Sequence, residues 1–424
     1  MTGPDPTATT TSTPAPAPAS TDPGRRGLLL IGVAIVLTGL NLRTAVNSVG
    51  PVLAEIRADL RFSSSGAGLV TAVPLLCFAA IGFAGPPLSA RYRDSHVLAG
   101  ALLAMTAGLL LRAVADSFVP FVAGTVLATV GGALGNVLLP GLVKRYFPQR
   151  TGLLVGAYTS ALTLGGAVAA VTAAPIADAV GAGGWRWVLG GWAVLALLAT
   201  LPWLAVRAAP GASRATHLAV RTSSLARSPL ALTFAAFFGL QAVQAFVLVG
   251  WLPTYLRDAG LSASTAGLLL GFNQLMVIPV HAVVPSLAVR PRLQRPLLGV
   301  FLAAYVVGWA GLWLAPTTVP WLWMVILAVG LGTFAMALTL LGLRARTPQS
   351  TAALATAVQG WGYVLGGAGP LLVGVLLGLT GSFVPMFVVL AVALAGMLAT
   401  GLLVTRERYV DDEIRAPGAA SPHG

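Results

Sequence analysis

The chain has 424 residues, of which 57% are hydrophobic and 9% are charged, and its formal net charge is +13. Its mean hydropathy is +0.87. A composition this apolar cannot be arranged around one soluble core, so it predicts an integral membrane protein. The positive charge does not indicate nucleic-acid binding, because the arginines fall in short loops between apolar runs rather than in one basic patch or an RNA-binding motif.

Several classes of chemistry are excluded by what the sequence lacks. Cys77 is the single cysteine, which rules out an intrachain disulfide and cysteine-based metal or redox motifs. The glycine-rich stretches are apolar and are not followed by Lys-Ser or Lys-Thr, so ATP is not the direct energy source. We therefore expect no cofactor. We also expect no enzymatic activity, because the one histidine within an apolar run has no evident nucleophile as partner.

Apolar windows of about 20 residues, the length that crosses a bilayer, predict twelve transmembrane spans. Here they are called span 1 to span 12 in chain order. Residues 1–26, rich in Thr, Pro and Ala, are predicted to be a disordered tail. The spans are predicted near residues 27–49, 65–88, 96–115, 119–142, 151–178, 186–206, 229–253, 264–288, 296–315, 319–342, 351–379 and 382–404.

The two halves of the chain repeat each other in the same direction. One segment, Phe62-Ser63-Ser64-Ser65-Gly66-Ala67-Gly68-Leu69, recurs as Leu261-Ser262-Ala263-Ser264-Thr265-Ala266-Gly267-Leu268. This predicts an all-α membrane protein of two six-helix repeats, with a substrate site between the halves near mid-membrane. The predicted units are the half 27–206, a linker 207–228, the half 229–404 and a tail 405–424.

The basic residues predict the orientation of the chain, because loops on the cytoplasmic side are enriched in Lys and Arg. Both termini and the linker are therefore predicted to be cytoplasmic, in a bacterial inner (plasma) membrane. The loops on this side contain Arg91, Arg93, Lys144, Arg145, Arg150, Arg290, Arg292, Arg295, Arg344, Arg346, Arg406 and Arg408.

Polar side chains inside the spans are the candidate functional residues, because a charge at mid-membrane costs at least about 2.5 kcal/mol and is usually retained for a role. Arg43 leads them, since span 1 holds no acid to pair with it and Glu55 follows the Gly50-Pro51 break. It could bind a small anion as a two-pronged donor. The alternative is a structural arginine that reaches the headgroups or bonds to helix-end carbonyls.

Asn41 lies two residues before Arg43, on nearly the opposite side of an ideal helix, so both reach one cavity only if the helix is distorted. The repeat relates Asn41 and Thr44 to Gln241 and Gln244, which favours a polar wall on both halves. Further amide and phenol groups could contact a substrate or join helices. They are Asn136, Asn273, Gln274, Gln359, Tyr158 and Tyr363.

Two ionisable residues within or at the ends of spans could have either a functional or a structural role. His281, the only histidine within a span, could relay a coupling proton or could simply bond to a carbonyl. Arg112 is followed by Asp116 four residues later, a spacing that favours an ion pair at a helix end. The middle of the spans contains no Asp or Glu, so proton antiport through a buried carboxylate is disfavoured.

Several motifs resemble the cyanate and 2-nitroimidazole permease family of the major facilitator superfamily. They are Asn41-Leu42-Arg43 with Val49-Gly50-Pro51, then Pro74-Leu75-Leu76-Cys77-Phe78, Gly135-Asn136-Val137-Leu138-Leu139-Pro140, Gly239-Leu240-Gln241 and Trp251-Leu252-Pro253. The resemblance covers residues 27–404 and implies the major facilitator fold and a permease for small anions or small heteroaromatic compounds. One departure is Ala90 before Arg91, where the superfamily usually has Asp.

Together these features predict a secondary active transporter that works by alternating access. Arg43, Asn41, Gln241, Gln244, Asn136 and Tyr363 are the predicted substrate-binding residues, with His281 as a candidate proton relay. The alternative is a multidrug-type efflux pump for neutral or cationic compounds, in which Arg43 is structural. The expected partners are a small-molecule substrate and the lipid bilayer, and we expect a monomer.

Overall fold

A computed structural model describes residues 25–91, 93–205 and 225–414. Residues 1–24 of the predicted tail, most of the linker and residues 415–424 lie outside the described residues. Within the described part, all regular structure is helical, and twelve helical segments are long and apolar enough to cross a membrane. The predicted all-α fold with twelve spans is confirmed.

Ten spans are single helices, and two are interrupted. Span 1 consists of Arg25–Asn41, Thr44–Asn47, the 3-10 turn Gly50–Val52 and Leu53–Leu60, and span 10 of Pro320–Gly330 and Gly332–Leu343. A short helix, Val410–Ile414, follows span 12. The single-helix spans are Ser64–Arg91, Asp94–Val114, Phe118–Tyr146, Thr151–Val180, Gly184–Ala205, Pro229–Asp258, Ala263–Ala288, Pro291–Leu314, Pro348–Thr380 and Val384–Val404.

Sequence signals explain where several spans begin. Ser228, Ser262 and Thr347 precede spans 7, 8 and 11, and each side chain accepts a hydrogen bond from a backbone N–H of the first turn. Such caps satisfy amides that have no partner inside the helix. Proline occupies the first helical position of spans 7, 9 and 11, where its missing N–H is not needed. These caps and prolines therefore determine where the four spans begin.

The second of two breaks in span 1, the one after Asn47, is stabilised by a buried arginine from span 3. Val49 N–H bonds to the carbonyl of Val46 at 3.3 Å, so the Ala45 carbonyl loses the partner that a continuous helix would supply. Arg112 Nη1 donates to that carbonyl at 2.8 Å. The predicted pair of Arg112 with Asp116 is therefore wrong: Asp116 lies 3.4 Å from Arg186 instead.

The two halves touch most closely at the end of the bundle opposite the linker, which we call the closed end. A Cβ placed on Gly68 of span 2 would lie 3.0 Å from the carbonyl oxygens of Pro370 and Leu371 in span 11. A Cβ on Gly267 of span 8 would lie 2.6 Å from the carbonyl of Ala170 in span 5. Helices that meet backbone to backbone in this way use small residues at the contact.

An ion pair also joins the halves at the closed end. Arg257 of span 7 lies 2.7 Å from Glu55 Oε1 through Nη2, and its Nη1 donates to Glu55 Oε2 at 3.0 Å and to the Pro51 carbonyl at 3.3 Å. Both side chains are partly exposed, so the pair contributes about 1 kcal/mol or less. It would have to break before the halves could separate here.

We expect Glu55→Gln to favour separation at the closed end by about two- to fivefold, the factor that corresponds to an exposed ion pair. The reporter is Thr71→Cys in a Cys77→Ala background, because Thr71 of span 2 packs against Gly250 of span 7. The measurement is the rate of maleimide labelling. The control is Asp59→Asn, which removes the Asp59–Arg186 pair within one half at 3.3 Å and should leave the rate unchanged.

The segment after span 12 packs against the linker end of the second half. Asp411 accepts hydrogen bonds from the Arg346 N–H at 2.7 Å and from Ser350 Oγ at 2.6 Å, and Glu413 accepts one from the Leu230 N–H at 3.1 Å. Partial burial raises the pKa of Asp411, but its hydrogen bonds with Ser350 and Arg346 have the larger combined effect and hold the pKa below its usual value. The segment thus joins the first turns of spans 7 and 11.

Candidate functional site

A cavity of about 460 Å³ lies between the halves. Spans 1, 2, 4 and 5 of the first half and the equivalent spans 7, 8, 10 and 11 of the second half supply its walls. Spans 3, 6, 9 and 12 contribute none of the described lining residues. This is the position that the internal repeat predicts, because a site on the repeat interface can be exposed to either side by movement of one half against the other.

The cavity continues towards the linker end of the bundle. Thr159 and Thr163 of span 5 line it, and Gly152 and Gly156 continue the same helical face by spacings of three, four and seven residues. A Cβ on either glycine would meet nothing within 4 Å. The halves are therefore in closest contact at the closed end, whereas this face of span 5 meets no neighbour towards the linker end.

Arg43 lies in the first break of span 1, between Asn41 and Thr44, and lines the cavity. Its guanidinium makes no hydrogen bond or ion pair with any side chain or carbonyl in the described part of the chain. The structural alternative named headgroups or helix-end carbonyls as partners; no such carbonyl bonds to Arg43 among the described residues, and the side chain lines the internal cavity. Arg43 is thus a half-buried cation whose donors face the cavity.

Asn47 follows Arg43 by four residues and was missed by the sequence reasoning. It lines the same cavity, is 2% exposed, and its Nδ2 is buried without a hydrogen-bond partner. Both side chains pack on Gly166 of span 5, where a Cβ would lie 2.6 Å from Asn47 Nδ2 and 3.1 Å from Arg43 Cβ. The i, i+4 spacing from Arg43 was the signal that could have found it.

Gln241 of span 7 and Asn136 of span 4 line the cavity as predicted. Gln241 is 2% exposed, and its Oε1 is buried without a partner. Unsatisfied buried amides are costly and uncommon, so each one calls for an explanation. Gln241 and Asn47 thus place two unsatisfied amide side chains on the cavity wall, one from each half.

Asn41 and Gln244 lie outside the cavity, in contacts between helices. Asn41 Nδ2 donates to the Leu37 carbonyl at 2.9 Å and to the Leu195 carbonyl of span 6 at 3.4 Å. Gln244 Nε2 donates to the Leu390 carbonyl of span 12, and its Oε1 accepts from Trp309 Nε1 of span 9, both at 2.8 Å. These two amides join the first and sixth helices of their respective halves.

Tyr363 of span 11 lines the cavity within an aromatic cluster. Its ring centroid lies 5.5 Å from Phe78 of span 2 and 5.1 Å from Phe238 of span 7. Phe78, Phe246 and Phe334 are also among the lining residues. Such surfaces pack well against a planar ring.

His281 of span 8 lines the cavity and bonds to the interruption of span 10. Its Nε2 lies 3.1 Å from the Leu331 carbonyl, and its ring packs on Phe334 at 5.8 Å. A ring nitrogen facing a carbonyl must donate, which fixes Nε2 as protonated. This geometry fits a structural role for His281, and the proton-relay role stays a prediction.

Of the remaining polar candidates, Gln274, Gln359 and Tyr158 line the cavity. Asn273 does not, and its Nδ2 donates to the Met324 carbonyl of span 10 at 2.7 Å. No Asp or Glu is found among the described lining residues. The cavity therefore combines one fixed positive charge, several amide and phenol groups, and aromatic faces.

Comparisons with known proteins agree with this architecture. The 2-nitroimidazole transporter of Escherichia coli (strain K12) is 33% identical, with 91% of this chain and 97% of that protein covered. The cyanate transport protein CynX of the same organism is 29% identical, with 89% and 97% covered. The resemblance to these permeases is confirmed.

A solved structure supports the fold. The crystal structure of the nucleoside transporter NupG superposes with a TM-score of 0.71 at 13% identity, covering 89% of this chain and 98% of that one. A sequence model of the Major Facilitator Superfamily matches residues 29–368. The chain therefore belongs to the major facilitator superfamily and is a multi-pass membrane transporter, not an enzyme.

Proposed function

We propose that the protein is a secondary active transporter of a small anionic or small heteroaromatic solute, bound in the cavity at Arg43. The observation that carries the proposal is a guanidinium with no partner among the described residues, in a cavity whose described walls contain no carboxylate. An arginine fork binds planar anions through two parallel hydrogen bonds. The relatives named for 2-nitroimidazole and cyanate transport support the same class of solute.

Within this proposal, Arg43 neutralises the charge of the solute, and Asn47, Gln241 and Asn136 supply further hydrogen bonds. Tyr363 and Phe78 enclose the flat face of the solute. Asn41 and Gln244 act through helix packing instead of direct contact. Movement of the half 27–206 against the half 229–404 then exposes the site alternately at either end.

The basic loops at the linker end support a cytoplasmic location for that end and insertion in the bacterial inner (plasma) membrane. The cavity would then open to the cytoplasm. We propose a monomer, because both halves of the cavity come from one chain and a second copy is not needed to complete it. A single chain supplies both halves of the binding site.

Binding is tested by thermal unfolding of the purified protein with sodium cyanate, 2-nitroimidazole or tetraphenylphosphonium. A ligand that binds the native state raises its apparent stability with occupancy. We expect cyanate or 2-nitroimidazole to raise the unfolding temperature, and Arg43→Ala to remove the shift. Stabilisation by tetraphenylphosphonium alone, unchanged in Arg43→Ala, would support the efflux alternative and contradict the proposal.

We expect His281→Gln to retain transport and to leave its pH profile unchanged between about pH 5.5 and 8, the range in which an ordinary histidine titrates. The reason is that glutamine can still donate to the Leu331 carbonyl that His281 contacts. The measurement is initial uptake rate against pH in proteoliposomes. A profile that becomes flat in the variant would instead assign His281 to proton relay.

A further inference from the structure

The cavity contains a positive charge that no residue in the described walls balances. Arg43 is the only Lys or Arg among the described lining residues, and no carboxylate is found with it. The other titratable groups there are Tyr158, Tyr363 and His281, whose ordinary charge states near neutral pH supply no negative charge. Arg43 is partly exposed to the cavity, so water that enters the cavity can solvate the guanidinium.

This charge makes one step of alternating access unfavourable for an empty carrier. To expose Arg43 at the closed end, the halves must first come together at the linker end and expel the water that solvates it. A guanidinium left without water and without a partner is costly in a low-dielectric interior. A bound monovalent anion removes that cost, because it pairs with the guanidinium before the water leaves.

The walls offer the empty carrier no substitute for the anion. Glu55, on the same span as Arg43, is held by Arg257 at 2.7 Å near the closed end. Asp59 lies 3.3 Å from Arg186 in the same region. Neither carboxylate lines the cavity, so neither is placed to pair with Arg43 during closure.

We propose that this carrier changes sides only when loaded, and therefore exchanges one monovalent anion for another across the membrane. The inference rests on the proposed function, since it takes Arg43 as the anion site. It adds the mode of transport: the charge of Arg43 prevents the empty carrier from returning. Net movement in one direction would then require a second anion to travel back.

The test measures how often the closed end opens, with Thr71→Cys in the Cys77→Ala background as reporter. The protein is placed in nanodiscs, where a maleimide reaches both ends, and the labelling rate is followed in sodium gluconate with or without sodium cyanate. We expect slow labelling in gluconate and an increase of at least about tenfold on adding cyanate.

Two variants separate charge from side-chain size. Arg43→Gln removes the charge and is expected to label at least about tenfold faster in gluconate, with no further increase from cyanate. Arg43→Lys keeps the charge and is expected to label as slowly as the unsubstituted protein. Equal rates for Arg43→Gln and the unsubstituted protein would overturn the proposal, and so would equal acceleration by both substitutions.

The result also distinguishes this inference from the proposed substrate class. If Arg43→Gln accelerates labelling and cyanate does not, the charge still holds the empty carrier, and cyanate is not its ligand. If cyanate accelerates labelling, efflux of labelled cyanate from proteoliposomes should be at least about tenfold faster with cyanate outside than with gluconate outside. Equal efflux rates would exclude exchange while leaving anion transport in place.

Discussion

Arg43→Ala is expected to reduce anion uptake by at least about a hundredfold, the factor that corresponds to about 3 kcal/mol for a charge-assisted hydrogen-bonded pair. Loss of the guanidinium removes the only positive side chain among the described lining residues. The measurement is initial uptake of labelled cyanate in proteoliposomes, normalised to the amount of reconstituted protein.

The same variant should keep its fold, because the Arg43 guanidinium bonds to no described residue. The matched comparison is Arg112→Ala, which removes a fully buried arginine that donates to the Ala45 carbonyl at 2.8 Å. That variant should lose thermal stability, because it exposes an unsatisfied carbonyl in the interior and leaves a void. If Arg43→Ala also failed to fold, Arg43 would be a structural residue and the anion site would have to lie elsewhere.

The twelve spans and the location of the cavity could be predicted because both depend on regular features of the sequence. Apolar windows set the span lengths, and the repeat places a site between equivalent helices. Arg43 and Gln241 were also within reach of sequence reasoning. Each is a polar side chain within an apolar span, where a partner or a cavity is required.

The sequence could not predict that Asn47 lines the cavity and Asn41 does not. The reason is that their orientation depends on the break in span 1 between Asn41 and Thr44. No proline or glycine lies between those two residues, and the Ala45 carbonyl, which is freed at the next break a few residues later, is satisfied by Arg112 from span 3. A contact so distant in sequence leaves no local pattern. On a continuous helix Asn41 and Arg43 lie on nearly opposite sides, so the sequence alone does not say which of the two faces the cavity.

Gln244 illustrates the same limit from the second half. The repeat pairs it with Thr44, which favoured a cavity wall, but its partners are Trp309 of span 9 and Leu390 of span 12. Both of its polar groups are satisfied there. A buried amide satisfied at both ends joins helices, whereas one left unsatisfied beside a cavity, such as Gln241, is available to a solute.

The close contact of spans 1 and 5 leads to a second prediction with a large effect. Gly165 of span 5 packs directly on the backbone of Leu40 in span 1, so that a Cβ would overlap the Leu40 carbonyl. Backbone atoms cannot move aside as a flexible side chain can. Gly165→Ala should therefore displace span 1 beside the Arg43 site and destabilise the protein by about 3 kcal/mol, at the upper end for overpacked interiors.

Gly156→Ala is the matched control, because Gly156 lies in the same helix and a Cβ there meets nothing within 4 Å. Alanine favours a helix over glycine by about 1 kcal/mol at either position, so helix propensity cannot account for a difference between the variants. Thermal unfolding of the two purified variants should show a loss of stability in Gly165→Ala and none in Gly156→Ala. Equal unfolding temperatures would mean that span 1 can shift away from span 5 at little cost, and that the position of Arg43 is not set by this contact.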